Sequence, residues 1–273
     1  MQSPWYVASG GQYLFVVQYP SNPGVYRIDK RTGASEVVSA SPAFDVRVSP
    51  DGLSVYWSSG AGGTISRRPV DLSQPTQVLA TITPDVLEIL PLQGVLYASH
   101  GDGRVTRIDL TNSGLPQTTI SQSFYLVEGL SKLGETVLFS DRVNGYVLSG
   151  IGANATPQQR YAGMGGRRTH ADETYAYATS FDGYVYRAPI AGGSLESQPL
   201  TVGDGSFGNI VSNQTQAYVV DSKSGRILRW PKVPGAGLVT LVAGLAEPVM
   251  ATLDGNVLYF TERGAGRIMR LVL

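Results

Sequence analysis

One short pattern recurs seven times along the chain: GVYRID (24–29), GTISRR (63–68), GRVTRI (103–108), GYVLSG (145–150), GYVYRA (183–188), GRILRW (225–230) and GRIMRL (266–271). Its equivalent positions are Arg27, Arg67, Arg107, Ser149, Arg187, Arg229 and Arg270, spaced by 40, 40, 42, 38, 42 and 41 residues. A period near forty residues commits a chain to one supersecondary unit used repeatedly, because no single unit buries its own apolar face.

The content of the unit selects among repeat architectures. About ten residues before each match lies an alternating run rich in Val, Leu, Tyr and Phe, such as LSVYWSS (53–59), TYAYATS (174–180) and NVLYFTE (256–262). Alternation of that composition reads as a half-buried strand. Pairs such as Asn144-Gly145, Asp182-Gly183 and Ser224-Gly225 then supply a tight turn. A further strand precedes each run, as in FDVRVS (44–49), VLEIL (86–90), GNIVS (208–212) and PVMATL (248–253). A fourth follows the pattern after a Gly/Pro/Ser loop, as in SEVVS (35–39), TQVLAT (76–81) and LVTLVA (238–243). No segment carries a helical period.

Four antiparallel strands per forty residues predict an all-β fold, a β-propeller. Seven units fit in one domain over 1–273, with blades near 4–40, 41–82, 83–121, 122–162, 163–203, 204–243 and 244–273. Only six outer strands fit, so the last blade is expected to have three strands and the ring to close by direct contact of blades one and seven. Six blades is the alternative count.

The runs LYFTERGAGRIMRL (258–271) and VYWSSGAGGTISRR (55–68) resemble the YWTD-type propeller repeat. The whole chain is similar to bacterial propeller repeats of unknown function found in secreted proteins, and more distantly to NHL, virginiamycin B lyase-like and gluconolactonase-like propellers. That resemblance implies the fold and leaves the function open. The Asp of the YWTD pattern is held by Gln18, Ser59, His100, Asp141, Ser180, Asp221 and Glu262, so a structural role for that position is expected to be degraded in most blades.

Composition narrows the function classes. Lys plus Arg and Asp plus Glu each number 21, so the chain has no basic footprint for nucleic acid. No apolar run approaches the ~20 residues of a spanning helix. With no cysteine there is neither a disulfide nor a thiolate nucleophile, and two histidines, His100 and His170, exclude a three-histidine metal site. The start, MQSPWYVASGG, has no basic or long apolar stretch. The expected location is secreted or periplasmic with the leader outside this sequence, and cytoplasmic is the alternative.

Propeller function concentrates at the mouth of the central channel, where inner strands converge. Aligning those strands gives one ring position: Tyr6, Arg47, Glu88, Glu128, Arg168, Asn209 and Met250. Apolar neighbours such as Val46 and Val48 put these groups together on one side of their strands. Two readings compete. The first is a ring of interblade ion pairs, Arg47 with Glu88 and Glu128 with Arg168, since buried charge must be paired. The second is a polar pocket in which Arg47 and Arg168 clamp a carboxylate or phosphate. His170 shares a strand face with Arg168, and beside Glu128 it would be a general base with a raised pKa. Glu88, Glu128 and Asn209 could offer oxygens to a divalent cation, but Arg47 and Arg168 would repel it, so no cofactor is expected.

Three readings of function follow. The leading one is a non-catalytic binding or scaffolding module whose partner is a protein or a small polar ligand. The second is a lyase or hydrolase at the channel mouth, using His170 and Glu128. The third is a lectin-like propeller, resting on exposed aromatics at Tyr19, Tyr125, Phe181 and Trp230; the three Trp at unmatched repeat positions count against it. His100 reads as a turn residue. The repeated Arg reads as a stem lying over apolar surface with a wet head.

Overall fold

The computed structural model describes residues 3–20, 23–59, 62–121, 124–180, 183–200 and 208–273. Blade 1 contains β1 (Pro4–Gly10), β2 (Tyr13–Gln18), β3 (Gly24–Asp29) and β4 (Ser35–Ser39), and blade 2 contains β5 (Asp45–Val48), β6 (Ser54–Ser59), β7 (Thr64–Pro69) and β8 (Gln77–Thr81). Blade 3 runs β9 (Val86–Leu92), β10 (Val95–His100), β11 (Val105–Asp109) and β12 (Gln117–Ser121), and blade 4 β13 (Gly129–Leu133), β14 (Thr136–Ser140), β15 (Gly145–Leu148) and β16 (Pro157–Tyr161). Blade 5 has β17 (Arg168–Ala171), β18 (Tyr175–Thr179), β19 (Tyr184–Pro189) and β20 (Glu196–Pro199), and blade 6 has β21 (Ile210–Ser212), β22 (Gln216–Asp221), β23 (Arg226–Pro231) and β24 (Val239–Val242). Blade 7 ends the chain with β25 (Pro248–Asp254), β26 (Val257–Glu262) and β27 (Arg267–Val272). Each sheet is an antiparallel meander in sequence order, six of four strands and the last of three. This is the seven-bladed all-β propeller that the repeat predicts, and the described residues contain no helix.

The second strand of each blade lies between its neighbours and is the most buried. Val95 to His100 are all buried, as are Tyr175 to Thr179. Blades pack face on face through these strands, so both faces are covered, which explains a composition with only 15% charged residues.

The repeated glycine four residues before the repeated Arg has a steric cause. Gly63 has φ +59°, and a Cβ there would stand 1.5 Å from the Ile82 carbonyl oxygen. Gly103, at φ +84°, would meet the Phe124 carbonyl oxygen at 1.8 Å. In both blades the backbone that follows the outer strand passes directly over the turn, and only glycine leaves room for it.

The position of the YWTD Asp keeps a job in more blades than expected. Asp141 Oδ1 accepts the Val143 and Asn144 N–H groups, both at 2.8 Å, and Ser59 Oγ accepts that of Thr64 at 3.0 Å. Asp221 and Glu262 hold Arg226 and Arg267, each at 2.6 Å. A short acceptor of several kinds can hold this turn, which is why Asp itself is not required. His100, read as a turn residue, is instead fully buried at the end of β10, with Nε2 2.9 Å from Thr106 Oγ1.

The ring closes by packing of blade 7 on blade 1. Met250 and Tyr259 join one apolar cluster with Tyr6, Phe15 and Trp57. Thr261 Oγ1 donates to the Trp5 carbonyl at 3.2 Å, and the Arg263 guanidinium lies 4.4 Å from the Trp5 ring centre. Lys30 Nζ reaches Asp254 at 2.6 Å and Ser9 Oγ at 2.8 Å.

Candidate functional site at the channel mouth

Inner strands β1, β5, β9, β13, β17, β21 and β25 surround a cavity of about 340 Å³ on the ring axis. Tyr6, Arg47, Glu88, Arg168, His170 and Asn209 all line it. Glu128 does not. It precedes β13, and its carboxylate accepts from Arg167 Nε at 2.7 Å.

A repeated device positions these side chains: an inner-strand polar group reaches across to the next blade's inner backbone. Asp45 Oδ2 accepts the Ile89 N–H at 2.9 Å, and Glu88 Oε2 accepts that of Leu130 at 2.7 Å. Asn209 does this at both atoms, accepting from the Ala251 N–H and donating to its carbonyl, each at 2.8 Å. The side chains therefore stitch the ring together before they do anything else.

The ion pairs form in part as expected. Arg47 bonds Glu88 and also Asp45, the latter at 3.2 Å. Burial works against the Arg47 charge, but the two carboxylates outweigh it and its pKa is raised. Burial pushes Glu88 up to about 7, opposed by Arg47 and Arg168. The expected pairing of Arg168 with Glu128 is replaced. Arg168 donates to the Tyr6 hydroxyl, to the Glu128 main-chain carbonyl at 2.8 Å, and lies 3.9 Å from Glu88. Arg167, just before β17, takes the Glu128 carboxylate instead. Tyr6 is itself buried, which raises its pKa.

His170 also departs from expectation. It sits in a chain of bonds that does not include Glu128: Nε2 lies 2.9 Å from Ser212 Oγ, which donates to Asp172 Oδ2 at 2.7 Å, and Lys232 Nζ reaches the same oxygen at 2.8 Å. Its ring stacks on Tyr177 at 5.9 Å. Burial drives its pKa down to about 4, against the pull of Asp172. The imidazole is neutral at pH 7, the reverse of the raised value that a neighbouring carboxylate was expected to give.

Of these partners, Asp45 and Asp172 were within reach of sequence reasoning. Each lies two residues from a sequence candidate, Arg47 and His170, although only Asp45 stands within the same strand as its candidate. Ser212 and Lys232 carry no such signal, since they come from blade 6 and only the ring brings them to blade 5. Among the described residues no group of three or more His, Asp or Glu stands together as metal ligands. Of the aromatics, Tyr19 and Tyr125 are exposed, whereas Trp230 is fully buried, and Phe181 lies outside the described residues.

No family model matches the chain, and no curated protein matches it in sequence. Solved structures do match in shape. Virginiamycin B lyase from Staphylococcus aureus superposes with a TM-score of 0.79 at 14% identity, over 100% of this chain and 95% of that one. A chain of the mitotic checkpoint complex gives 0.77 at 12% identity, over 98% and 86%. The computationally designed Ika8 protein gives 0.67 at 11% identity, over 100% and 96%. The molecule is thus a seven-bladed β-propeller of virginiamycin B lyase-like shape. The same shape serves a lyase, a chain of a multiprotein complex and a designed protein.

Proposed function

We propose that this protein is a non-catalytic binding module whose channel mouth receives a small polar, anionic ligand. The observation that carries this reading is the open cavity over Arg47 and Arg168. The Arg47 side chain keeps 28% of its surface exposed although it is paired with two carboxylates. A guanidinium bordering an open cavity matches a carboxylate or phosphate in geometry. Lys132, also on the cavity wall, adds a further positive charge.

Catalysis is the weaker reading because the histidines and Glu128 are already engaged elsewhere. His170 is neutral and bonded to Ser212, His100 is in the core, and Glu128 is held by Arg167 outside the cavity. One matched structure is a catalytically inactive His-to-Ala variant of virginiamycin B lyase with quinupristin. Quinupristin incubated with this protein is expected to remain intact by mass spectrometry. Its cleavage, abolished in His170→Ala, would replace the binding reading with the enzymatic one.

The direct test is a thermal-shift and calorimetric screen of organic acids and phosphates against the wild type and Arg168→Met. The expected result is stabilisation of the wild type by an anion and loss of that effect in the variant. Equal responses in both proteins would sink the proposal.

A further inference from the structure

At the end of the ring where the inner strands begin lies a second cavity, of about 350 Å³, spanning blades 1, 2 and 3. It shares no residue with the channel cavity. Trp5 of β1, Tyr19 just after β2 and Phe44 just before β5 are its aromatic walls. Val17 and Ala43, both buried, add apolar surface. Among the described residues on the lining, Asp85, just before β9, is the one that carries a charge.

These rings are more than the repeat requires. Trp5 stands where blades 2, 3, 4 and 7 have Val46, Leu87, Val127 and Val249. Tyr19 is 51% exposed and Phe44 37%, and large apolar side chains gathered at a surface mark a contact with something outside the chain. The walls are also fixed in advance. Trp5 Nε1 donates to the Tyr19 carbonyl at 3.0 Å, and the two rings meet edge to face, 6.4 Å apart at 79°. The Phe44 N–H donates to the Ser58 carbonyl at 2.7 Å, and its ring lies 5.9 Å from that of Tyr6. Preorganised walls lower the entropy cost of binding.

The charges around the cavity favour a cation. The Asp85 carboxylate has no hydrogen bond or ion pair among the described residues. Arg263 lies 4.4 Å from the Trp5 ring centre, but it bonds Glu247 and borders a neighbouring cavity instead of this one. Arg104 reaches the Thr83 carbonyl, two residues before Asp85, and is paired with Asp102 at 2.6 Å. The chain itself shows what a ring at this end attracts. One repeat position is Phe44 in blade 2, Asp85 in blade 3 and Tyr125 in blade 4. Tyr125 has the Arg142 guanidinium 4.9 Å from its ring centre, whereas Phe44 has no such cation among the described residues.

We propose that this cavity binds a small molecule bearing a quaternary ammonium group, its methyl groups against Trp5, Tyr19 and Phe44 and its charge offset by Asp85. The negative faces of aromatic rings attract such a cation, which has no hydrogen-bond donors to satisfy. A primary ammonium carries three donors, and the side chains here offer it little beyond Asp85 and the Tyr19 hydroxyl.

The test is calorimetry with choline chloride, with sodium chloride as the matched salt, and with the neutral alcohol in which carbon replaces the choline nitrogen. Trp57 and Trp230 are buried, so a change in tryptophan emission on binding reports on Trp5. Choline is expected to bind about tenfold or more tighter than the alcohol. Asp85→Asn is expected to weaken choline about threefold or more, and Trp5→Leu about tenfold or more. Asp85 is an exposed residue, and circular dichroism verifies that both variants keep their strands. Equal affinity for choline and the alcohol overturns the proposal, as does unaltered choline binding in both variants. So does a wild type that gives no response to choline, or one that binds glucose or galactose in its place.

Discussion

Arg187 and Arg168 belong to the same blade and meet opposite fates. Arg187, on β19, is completely buried. It donates to the Pro231 carbonyl at 2.6 Å, to Glu196 at 2.7 Å and to the Val233 carbonyl at 2.8 Å, and lies 4.2 Å from the Trp230 ring centre. Arg168, on β17, has a comparable set of partners in Tyr6, Glu128 and Glu88, yet it borders an open cavity. The first arginine fastens blade 5 to blade 6 and has no room for anything else. The second fastens blade 5 to blades 1 and 4 and also faces solvent. An arginine in a propeller is therefore a rivet where blades meet at the rim, and acquires a ligand-facing side only where the ring leaves a hole at its axis.

Replacing Arg187 by Met probes the rivet and is expected to have the largest effect. Removing the fully buried Arg187 is expected to cost up to about 3–5 kcal/mol, because it bonds Glu196 and two main-chain carbonyls at once. Urea unfolding should show that loss. A cost below that of Arg168→Met would break the comparison. Arg168→Met is expected to cost about 1–3 kcal/mol, since water in the cavity can solvate the groups it leaves. Its loss of anion response, rather than of stability, is what would sharpen the contrast.

A smaller effect is expected from pH. The folded-state pKa of His170 is depressed to about 4 from 6.5, so the unfolded chain binds a proton that the folded one refuses. The corresponding stability is fully present above pH 6.5 and is lost as pH falls from 6.5 to 4. His170→Gln should flatten the stability profile in that window, and an unchanged acid limb would remove His170 from the account. The smallest effect belongs to the seam. Asp254 is 47% exposed, so Asp254→Ala should cost no more than about 1 kcal/mol, as exposed pairs do. A larger loss would mean that the seam depends on Lys30 and not on the apolar cluster of Tyr6, Met250 and Tyr259.

Much of this was legible in the chain. The ring position aligned from the sequence brings Tyr6, Arg47, Glu88, Arg168 and Asn209 to one cavity, because period-two alternation fixes the face of each residue once the strand is known. Glu128 escaped that logic: it stands before β13 begins, so its alternation does not carry through. The repeated Arg was read as a surface residue with a wet head. Arg27 and Arg107 instead donate into the next blade, to the Val70 and Ile151 carbonyls at 2.7 and 2.8 Å, as Arg187 does to Pro231. Contacts across about forty-four residues leave no mark in a local pattern.

The sequence alone determined the unit, its sevenfold repetition and the strand missing from the last blade, since these are properties of period and turn chemistry. Only the tertiary structure decided which charges meet and that His170 is neutral. Closing the ring brings strands from distant blades within hydrogen-bonding reach, and burial then sets the charge state of each group it encloses.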